Sequence, residues 1–189
     1  HESKLDTTKP VAFPLPDGSS IQVRGRVDRV DRLGVDPTGG ESPHTYVVWD
    51  YKTGSSRKYK QGDPFQCGRI IQPALYVSIV EHCLRERVSR NATVRSFGFF
   101  FPGVRARGER LQWAPEDLRV GPGTVQKLVE IIRNGAFLAT GDKEACQYCD
   151  YQGVCGDTQA VTSASKKKLE NGAEELLQPM RELRSHGEK

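Results

Sequence analysis

The chain has 189 residues, of which 36% are hydrophobic and 28% charged, and a formal net charge of +4. This length can bury a substantial core, and the two Trp, six Tyr and seven Phe argue against disorder. No apolar run reaches the ~18 residues that a membrane span needs, and no signal peptide opens the chain. We therefore expect a cytoplasmic protein that neither crosses a membrane nor is secreted. Because the first residue is His1 rather than Met, we also expect a fragment or a processed product.

Basic residues are concentrated in two stretches of the chain. Residues 51–62 contain four cations and no acid, and residues 84–110 contain seven arginines against two glutamates. Such stretches fit a polyanionic partner. An ordinary solvated surface is the alternative explanation.

The first elements along the chain are predicted to be strands. Val11–Leu15 is a short apolar stretch before a turn, and Ser20–Leu33 alternates between apolar and polar residues. Val30 breaks that alternation, so we expect a β-bulge or a strand end near Asp28. After a loop rich in Gly and Pro, His44–Lys52 alternates again and is predicted to be the next strand.

The following elements mix helices with one more strand. Apolar residues at helical spacing predict a helix over Phe65–Arg87, in which Pro73 requires a late start or a kink. Thr93–Phe101 is β-branched and aromatic, which predicts a strand. Thr124–Phe137 is predicted to be an amphipathic helix with Gly135 as its C-cap. The order of elements indicates a mixed α/β domain.

The composition changes after Cys155. Residues 156–189 contain no aromatic residue, and their leucines have helical spacing that Gly172 and Pro179 interrupt. We therefore expect residues 1–155 to form the domain and residues 156–189 to be a flexible or marginally helical tail. A helix that packs on a partner is the alternative.

Three charged residues on two neighbouring strands form a candidate site. Asp50 and Lys52 are two residues apart on one strand, so their side chains leave the same face. A hairpin would bring Asp28 of the preceding strand alongside them. Two carboxylates suit Mg²⁺, which retains several waters, and a nearby lysine can stabilise charge on a phosphate. The alternative is a solvated strand edge with surface ion pairs.

Several motifs occur together in a recognisable order. The strings G-R-V-D-R-V-D at Gly25–Asp31 and W-D-Y-K-T-G at Trp49–Gly54 precede Gln72, Tyr76 and a C-x2-C-x5-C motif at residues 146–155. This order resembles the PD-(D/E)xK nuclease superfamily, and most closely its RecB/AddB-like branch. The resemblance implies a restriction-endonuclease-like core, in which a central mixed β-sheet is flanked by helices. It also implies that residues 1–155 are an N-terminally truncated nuclease domain.

The resemblance assigns roles to the charged residues. It implies that Asp28, Asp50 and the backbone carbonyl of Tyr51 bind the metal, Mg²⁺ or Mn²⁺, and that Lys52 is catalytic. Gln72 and Tyr76 match the family's Q-x-x-x-Y helix motif beside the active site. An interior glutamine and a core tyrosine are the alternatives for these last two residues.

The cysteines match part of a second family motif. Cys146, Cys149 and Cys155 correspond to the last three of four ligands of a [4Fe–4S] cluster. We expect the cluster in the full-length protein, with a fourth cysteine from upstream, and not in this fragment. A zinc site with an outside ligand and unligated thiols are the alternatives. Cys67 and Cys83 are expected to be buried structural thiols.

Together these features predict a metal-dependent deoxyribonuclease domain that hydrolyses phosphodiester bonds. We expect it to belong to a larger helicase–nuclease or DNA repair and recombination protein. The alternatives are a non-catalytic DNA-end-binding module held by an iron–sulfur cluster and a zinc-stapled interaction domain. The presence of Asp28, Asp50 and Lys52 favours the enzyme.

Overall fold

The structure is a computed structural model that describes residues 2–6, 9–34, 44–171 and 174–185. Contacts between Cα atoms group the chain into two compact units, His1–Gln126 and Lys127–Lys189. Within the described ranges, no helix has both the length and the apolar character that crossing a membrane requires.

The described residues of the first unit form seven strands in two sheets. The strands are β1 Glu2–Asp6, β2 Val11–Pro14, β3 Ser20–Val23, β4 Arg26–Arg32, β5 Thr45–Tyr51, β6 Thr93–Phe101 and β7 Glu109–Trp113. One sheet has the order β1-β4-β5-β6-β7, and β2 and β3 form a separate hairpin. Neighbours in the larger sheet are antiparallel except for β5 and β6, which are parallel. The predicted central mixed sheet is confirmed.

A helix connects the two parallel strands. α1, Gln72–Arg87, lies between β5 and β6 in the chain and packs against both of them, as a crossover between parallel neighbours requires. Pro73 is its second residue, where a missing N–H is tolerated. The late start that Pro73 predicted is therefore confirmed. A short helix, α2 at Pro115–Leu118, contacts β6 and β7.

Aromatic residues of β6 and β7 fill the core between the sheet and α1. Phe97, Phe99 and Trp113 are almost completely buried. The rings of Phe97 and Trp113 are stacked at 6.4 Å between centroids, and Phe99 meets Trp113 edge-on at 5.4 Å. Burying each of these large side chains stabilises the fold by roughly 2–3 kcal/mol.

The β-bulge predicted near Asp28 is confirmed by the pairing of β1 with β4. Ser3 pairs with Val30 and Leu5 pairs with Val27, so β4 contains one residue more than β1 over this interval. The extra residue explains why Val27 and Val30 are both buried although they lie on opposite parities. Asp28 lies inside the bulged segment.

The long strand predicted over Ser20–Leu33 is instead two strands, β3 and β4, separated at Arg24 and Gly25. A Cβ atom at Gly25 would lie 3.1 Å from Cδ1 of Ile79 on α1. Glycine therefore allows the helix to approach the chain closely at this break.

The second unit is helical. Its helices are α3 Gly121–Arg133, which begins in the first unit, α4 Lys143–Cys146, α5 Gln152–Cys155, α6 Thr158–Glu170 and α7 Gln178–Ser185. A small core contains four buried residues, namely Ile131, Ala136, Leu177 and Leu183. Two helices thus form in the segment predicted to be a flexible or marginally helical tail, and the domain boundary after Cys155 stays a prediction.

Candidate active site

Asp50 and Lys52 lie at the carboxyl end of β5. The Asp50 side chain is buried, and the Lys52 ammonium lies 2.6 Å from its Oδ2. The same ammonium lies 4.8 Å from the centroid of the Phe99 ring. The lysine is thus held between a carboxylate and an aromatic face, and both of them attract its ammonium group.

Asp28 reaches the same place from the bulge of β4. Its Oδ2 accepts a hydrogen bond of 2.8 Å from the backbone N–H of Tyr51, the residue between Asp50 and Lys52. Burial raises the pKa of Asp50, the Lys52 ammonium opposes this rise, and the charge of Asp28 adds to it. The two carboxylates are therefore close enough to repel each other, as expected for a site that binds a cation.

Gln72 joins the charged residues through its side-chain amide. Its Oε1 accepts a hydrogen bond of 2.8 Å from the Lys52 ammonium, and its Nε2 donates to Oδ1 of Asp50 at 3.2 Å. Nε2 also lies 3.4 Å from the hydroxyl oxygen of Tyr76, one turn further along α1. The structure thus brings together Asp28, Asp50, Lys52, Gln72 and Tyr76.

The donor atoms at this site fit a divalent cation. Oδ2 of Asp50 is buried, and the Lys52 ammonium 2.6 Å away pairs with it by charge. Within the described part of the chain, no three His, Cys, Asp or Glu side chains form a group that could hold a metal. A site made of two carboxylates and one backbone carbonyl suits Mg²⁺, which keeps most of its water ligands.

Tyr59 is a neighbour of the site that the sequence analysis did not identify. Its ring packs on Phe99 and Phe101, with centroids 4.7 and 5.5 Å away. Burial raises the pKa of its phenol, and the charges of Lys52 and Asp50 also act on it. The one sequence feature that pointed to Tyr59 was its position within the basic stretch of residues 51–62. Nothing in that stretch indicated which face of the sheet Tyr59 would cover.

On the face of β4 and β5 opposite Asp50, Arg29 and Asp31 form a separate ion pair. Nε of Arg29 lies 2.8 Å from Oδ1 of Asp31, and Nη1 of Arg29 lies 3.4 Å from the hydroxyl of Tyr51. Asp31 therefore has a cationic partner of its own. It is a useful reference carboxylate on the strand that carries Asp28.

The three late cysteines lie in the second unit, at the end of α4, in the following turn and at the end of α5. Cys149 and Cys155 are exposed, and Cys146 is half-buried. The described residues contain no group of three ligand side chains around them. A cluster shared by these cysteines stays a prediction.

The other two cysteines differ from each other. Cys83 is buried on α1 with 3% of its surface exposed, as predicted. Cys67 is only half-buried, so the prediction of a buried thiol is wrong for it. The reason is that α1 begins at Gln72 rather than Phe65, which leaves Cys67 in a turn with a left-handed φ of 56°.

Comparison with known proteins agrees with this geometry. Residues 1–156 match the family model of the PD-(D/E)XK nuclease superfamily. The chain is also 40% identical over 78 residues to one subunit of the ATP-dependent helicase/deoxyribonuclease of Symbiobacterium thermophilum. That match covers 41% of this chain and 6% of the relative's length. The family match spans most of the chain and includes every residue around Asp50 described above, so the chain belongs to the PD-(D/E)XK nuclease superfamily.

Proposed function

We propose that the chain is a Mg²⁺- or Mn²⁺-dependent deoxyribonuclease domain that hydrolyses phosphodiester bonds of DNA. The observation that carries this proposal is the convergence of Asp28, Asp50 and Lys52 at the end of β5. A structural ion pair needs only one carboxylate for the lysine. The second carboxylate adds repulsion that a bound cation relieves.

In this proposal Asp28, Asp50 and the carbonyl of Tyr51 hold the cation. When bound, a divalent cation supplies a Lewis acid for the phosphate and lowers the pKa of a water molecule. The hydrogen bond from the Tyr51 N–H fixes the direction of the Asp28 carboxylate before any ion arrives. The burial of Asp50 excludes competing water from its oxygens.

Lys52 is proposed to act on the phosphate and on the attacking water. Its ammonium can donate to a phosphate oxygen and stabilise the negative charge that builds up during in-line attack. Gln72 restricts this ammonium through Oε1 and holds Asp50 through Nε2. We infer that Gln72 is a positioning residue and that Tyr76 restrains the same amide.

The name of the relative suggests a larger context. We propose that the domain is part of a longer helicase–nuclease protein that acts in DNA repair or recombination. In that protein Cys146, Cys149 and Cys155 would bind a [4Fe–4S] cluster together with an upstream cysteine. Support comes from the cysteine spacing and from the helicase/deoxyribonuclease relative.

A cleavage assay on labelled DNA tests the catalytic proposal. The 189-residue chain is expected to cleave DNA with Mg²⁺ or Mn²⁺ and to stop in excess chelator. Asp50→Asn should lower the rate by roughly a thousandfold, since metal ions contribute several kcal/mol to such reactions. Asp31→Asn is the matched control and should cleave at the wild-type rate.

Two outcomes of this assay would contradict the proposal. Cleavage that persists in excess chelator would exclude a metal-dependent reaction. DNA binding without cleavage under every metal condition would instead favour the DNA-end-binding module. Circular dichroism of the Asp50→Asn variant separates loss of the site from loss of the fold.

A further inference from the structure

Two loops meet at the edge of the sheet beside the candidate active site. Because β5 and β6 are parallel, the loops that follow them leave the sheet at the same edge. Residues 53–57 follow β5, and residues 103–106 belong to the loop that follows β6. These two segments and Glu109 line a cleft of about 790 Å³, which we call the loop cleft.

The loop cleft is predominantly positive. Arg57 lines one wall, Arg105 lines the other, and both are exposed. Neither forms an ion pair with any acidic side chain in the described part of the chain. The one carboxylate of the lining belongs to Glu109, which accepts a hydrogen bond from the Ser56 hydroxyl.

Other exposed cationic residues are close neighbours of the lining residues in sequence. Lys58 follows Arg57 directly, and Arg107 lies two residues after Arg105. The two basic stretches of the sequence, which are far apart in the chain, therefore contribute to one surface. A polyanion that lies along this surface meets cations from both loops.

The loop cleft also contains an exposed apolar side chain. Val104 lies between Gly103 and Arg105 and is 93% exposed. An apolar side chain beside arginines suits a ligand that alternates anionic and apolar groups. A nucleic acid strand has this character, because its phosphates alternate with bases that present apolar faces.

The lining of the loop cleft begins at the residue that follows the proposed catalytic lysine. Thr53, the first residue of its lining, directly follows Lys52, so their Cα atoms are ~3.8 Å apart. The backbone N–H of Lys52 donates to the carbonyl of Phe100, which ties this end of β5 to the strand that leads into the second loop. A DNA strand whose scissile phosphate lies at Lys52 can therefore continue into the loop cleft.

We propose that the loop cleft binds the phosphodiester backbone of the DNA strand that is cut, on one side of the scissile phosphate. Arg57 and Arg105 contact its phosphates, and Val104 lies against a base. This inference rests on the proposed nuclease function for the identity of the ligand.

Binding of a short fluorescein-labelled single-stranded oligonucleotide tests the proposal. Fluorescence anisotropy is measured in excess chelator over a series of salt concentrations, so that no cleavage occurs. The double variant Arg57→Gln/Arg105→Gln should bind roughly tenfold more weakly, and its slope of log K against log salt should fall by about 1.4, or two phosphate contacts. Val104→Asp should also weaken binding.

The matched control removes the same charge elsewhere. Arg87 and Arg90 are exposed, and Arg87 lies at the opposite end of α1 from Gln72, roughly 22 Å away along the helix axis. The double variant Arg87→Gln/Arg90→Gln should keep the wild-type affinity and salt slope. Equal losses in both double variants, or an unchanged slope in Arg57→Gln/Arg105→Gln, would overturn the proposal.

A second measurement separates this proposal from the proposed function. With Mg²⁺ and oligonucleotide substrate, Arg57→Gln/Arg105→Gln should raise KM and leave kcat unchanged. Cleavage that survives Asp50→Asn would contradict the catalytic proposal while leaving the binding result intact. Normal binding by the Arg57→Gln/Arg105→Gln variant, with cleavage that still requires Asp50, would refute only the loop cleft. Thermal unfolding of each variant verifies that it is folded.

Discussion

The side-chain carbonyl of Gln72 accepts a hydrogen bond of 2.8 Å from the Lys52 ammonium, which joins the first turn of α1 to the end of β5. The same amide donates to Asp50. A lysine that was restrained only by its ion pair could rotate about four side-chain bonds. The amide reduces this freedom before substrate binds, which is a form of preorganisation.

Gln72→Leu should therefore slow catalysis without unfolding the protein. Hydrogen bonds to charged groups contribute about 1.5–3 kcal/mol, so kcat should fall by roughly ten- to hundredfold. KM for DNA should stay close to the wild-type value, because Gln72 is not expected to contact the substrate. A rise in KM with unchanged kcat would contradict a positioning role.

Tyr76→Phe is the matched variant that tests the longest hydrogen bond of Gln72, the one to the Tyr76 hydroxyl. It removes only the hydroxyl, which lies 3.4 Å from Nε2 of Gln72, and keeps the ring against Phe97. The rate should change by less than about threefold. A loss as large as that of Gln72→Leu would indicate that the hydroxyl acts directly on the substrate.

Gly98→Ala should destabilise the sheet. A Cβ atom at this position of β6 would meet the Trp49 ring and lie 2.8 Å from the carbonyl oxygen of Leu111. Because both neighbours belong to packed strands, we expect a loss of about 1–3 kcal/mol in the free energy of unfolding. Urea denaturation measures this loss. Gly123→Ala is the control, since a Cβ there meets nothing within 4 Å, and it should gain up to about 1 kcal/mol.

Thiol reactivity should distinguish the cysteines. Burial raises the pKa of the Cys83 thiol, and the neighbouring Arg87 charge only partly opposes this rise. A higher pKa leaves less thiolate at neutral pH, and the thiolate is the reactive form. Iodoacetamide should therefore label Cys149 and Cys155 well before Cys83 in the native chain, as peptide mass spectrometry can measure. In urea the difference should disappear, and a Cys83 that reacts first without urea would contradict its burial.

A longer protein that contains this chain should bind iron through the late cysteines. Elemental analysis is expected to find iron, absorption spectroscopy a visible band, and Cys146→Ser should remove both. Zinc without iron would contradict the cluster and favour the zinc alternative. The control Cys83→Ala should retain the iron, because Cys83 is a buried residue of α1.

The strand positions of Asp28, Asp50 and Lys52 were predictable from local rules, whereas the family resemblance was needed to link Gln72 and Tyr76 to them. The alternation of residues along β5 predicted that Asp50 and Lys52 share a face. The break in alternation at Val30 predicted the bulge that carries Asp28. Helical spacing placed Gln72 one turn before Tyr76. Each of these relationships depends on residues close together in sequence, where backbone geometry alone fixes direction.

Other features depend on contacts between distant segments and were not predictable. β7 was missed because Leu111 and Trp113 are its only apolar residues, so it is defined by its pairing with β6 rather than by its own pattern. The loop cleft needs the parallel register of β5 and β6. The packing of Tyr59 on Phe99 joins segments that no sequence period relates.

The residues of the candidate active site are far apart in sequence, and this has a consequence for biosynthesis. Asp28, Asp50 and Gln72 come from three successive segments, and β5 completes its pairing only with β6, which is translated after all of them. We therefore expect a nascent chain on the ribosome to assemble the site only after residues up to Phe101 have emerged and paired. Chains that stop before Phe101 should therefore lack the assembled site and the activity proposed for it.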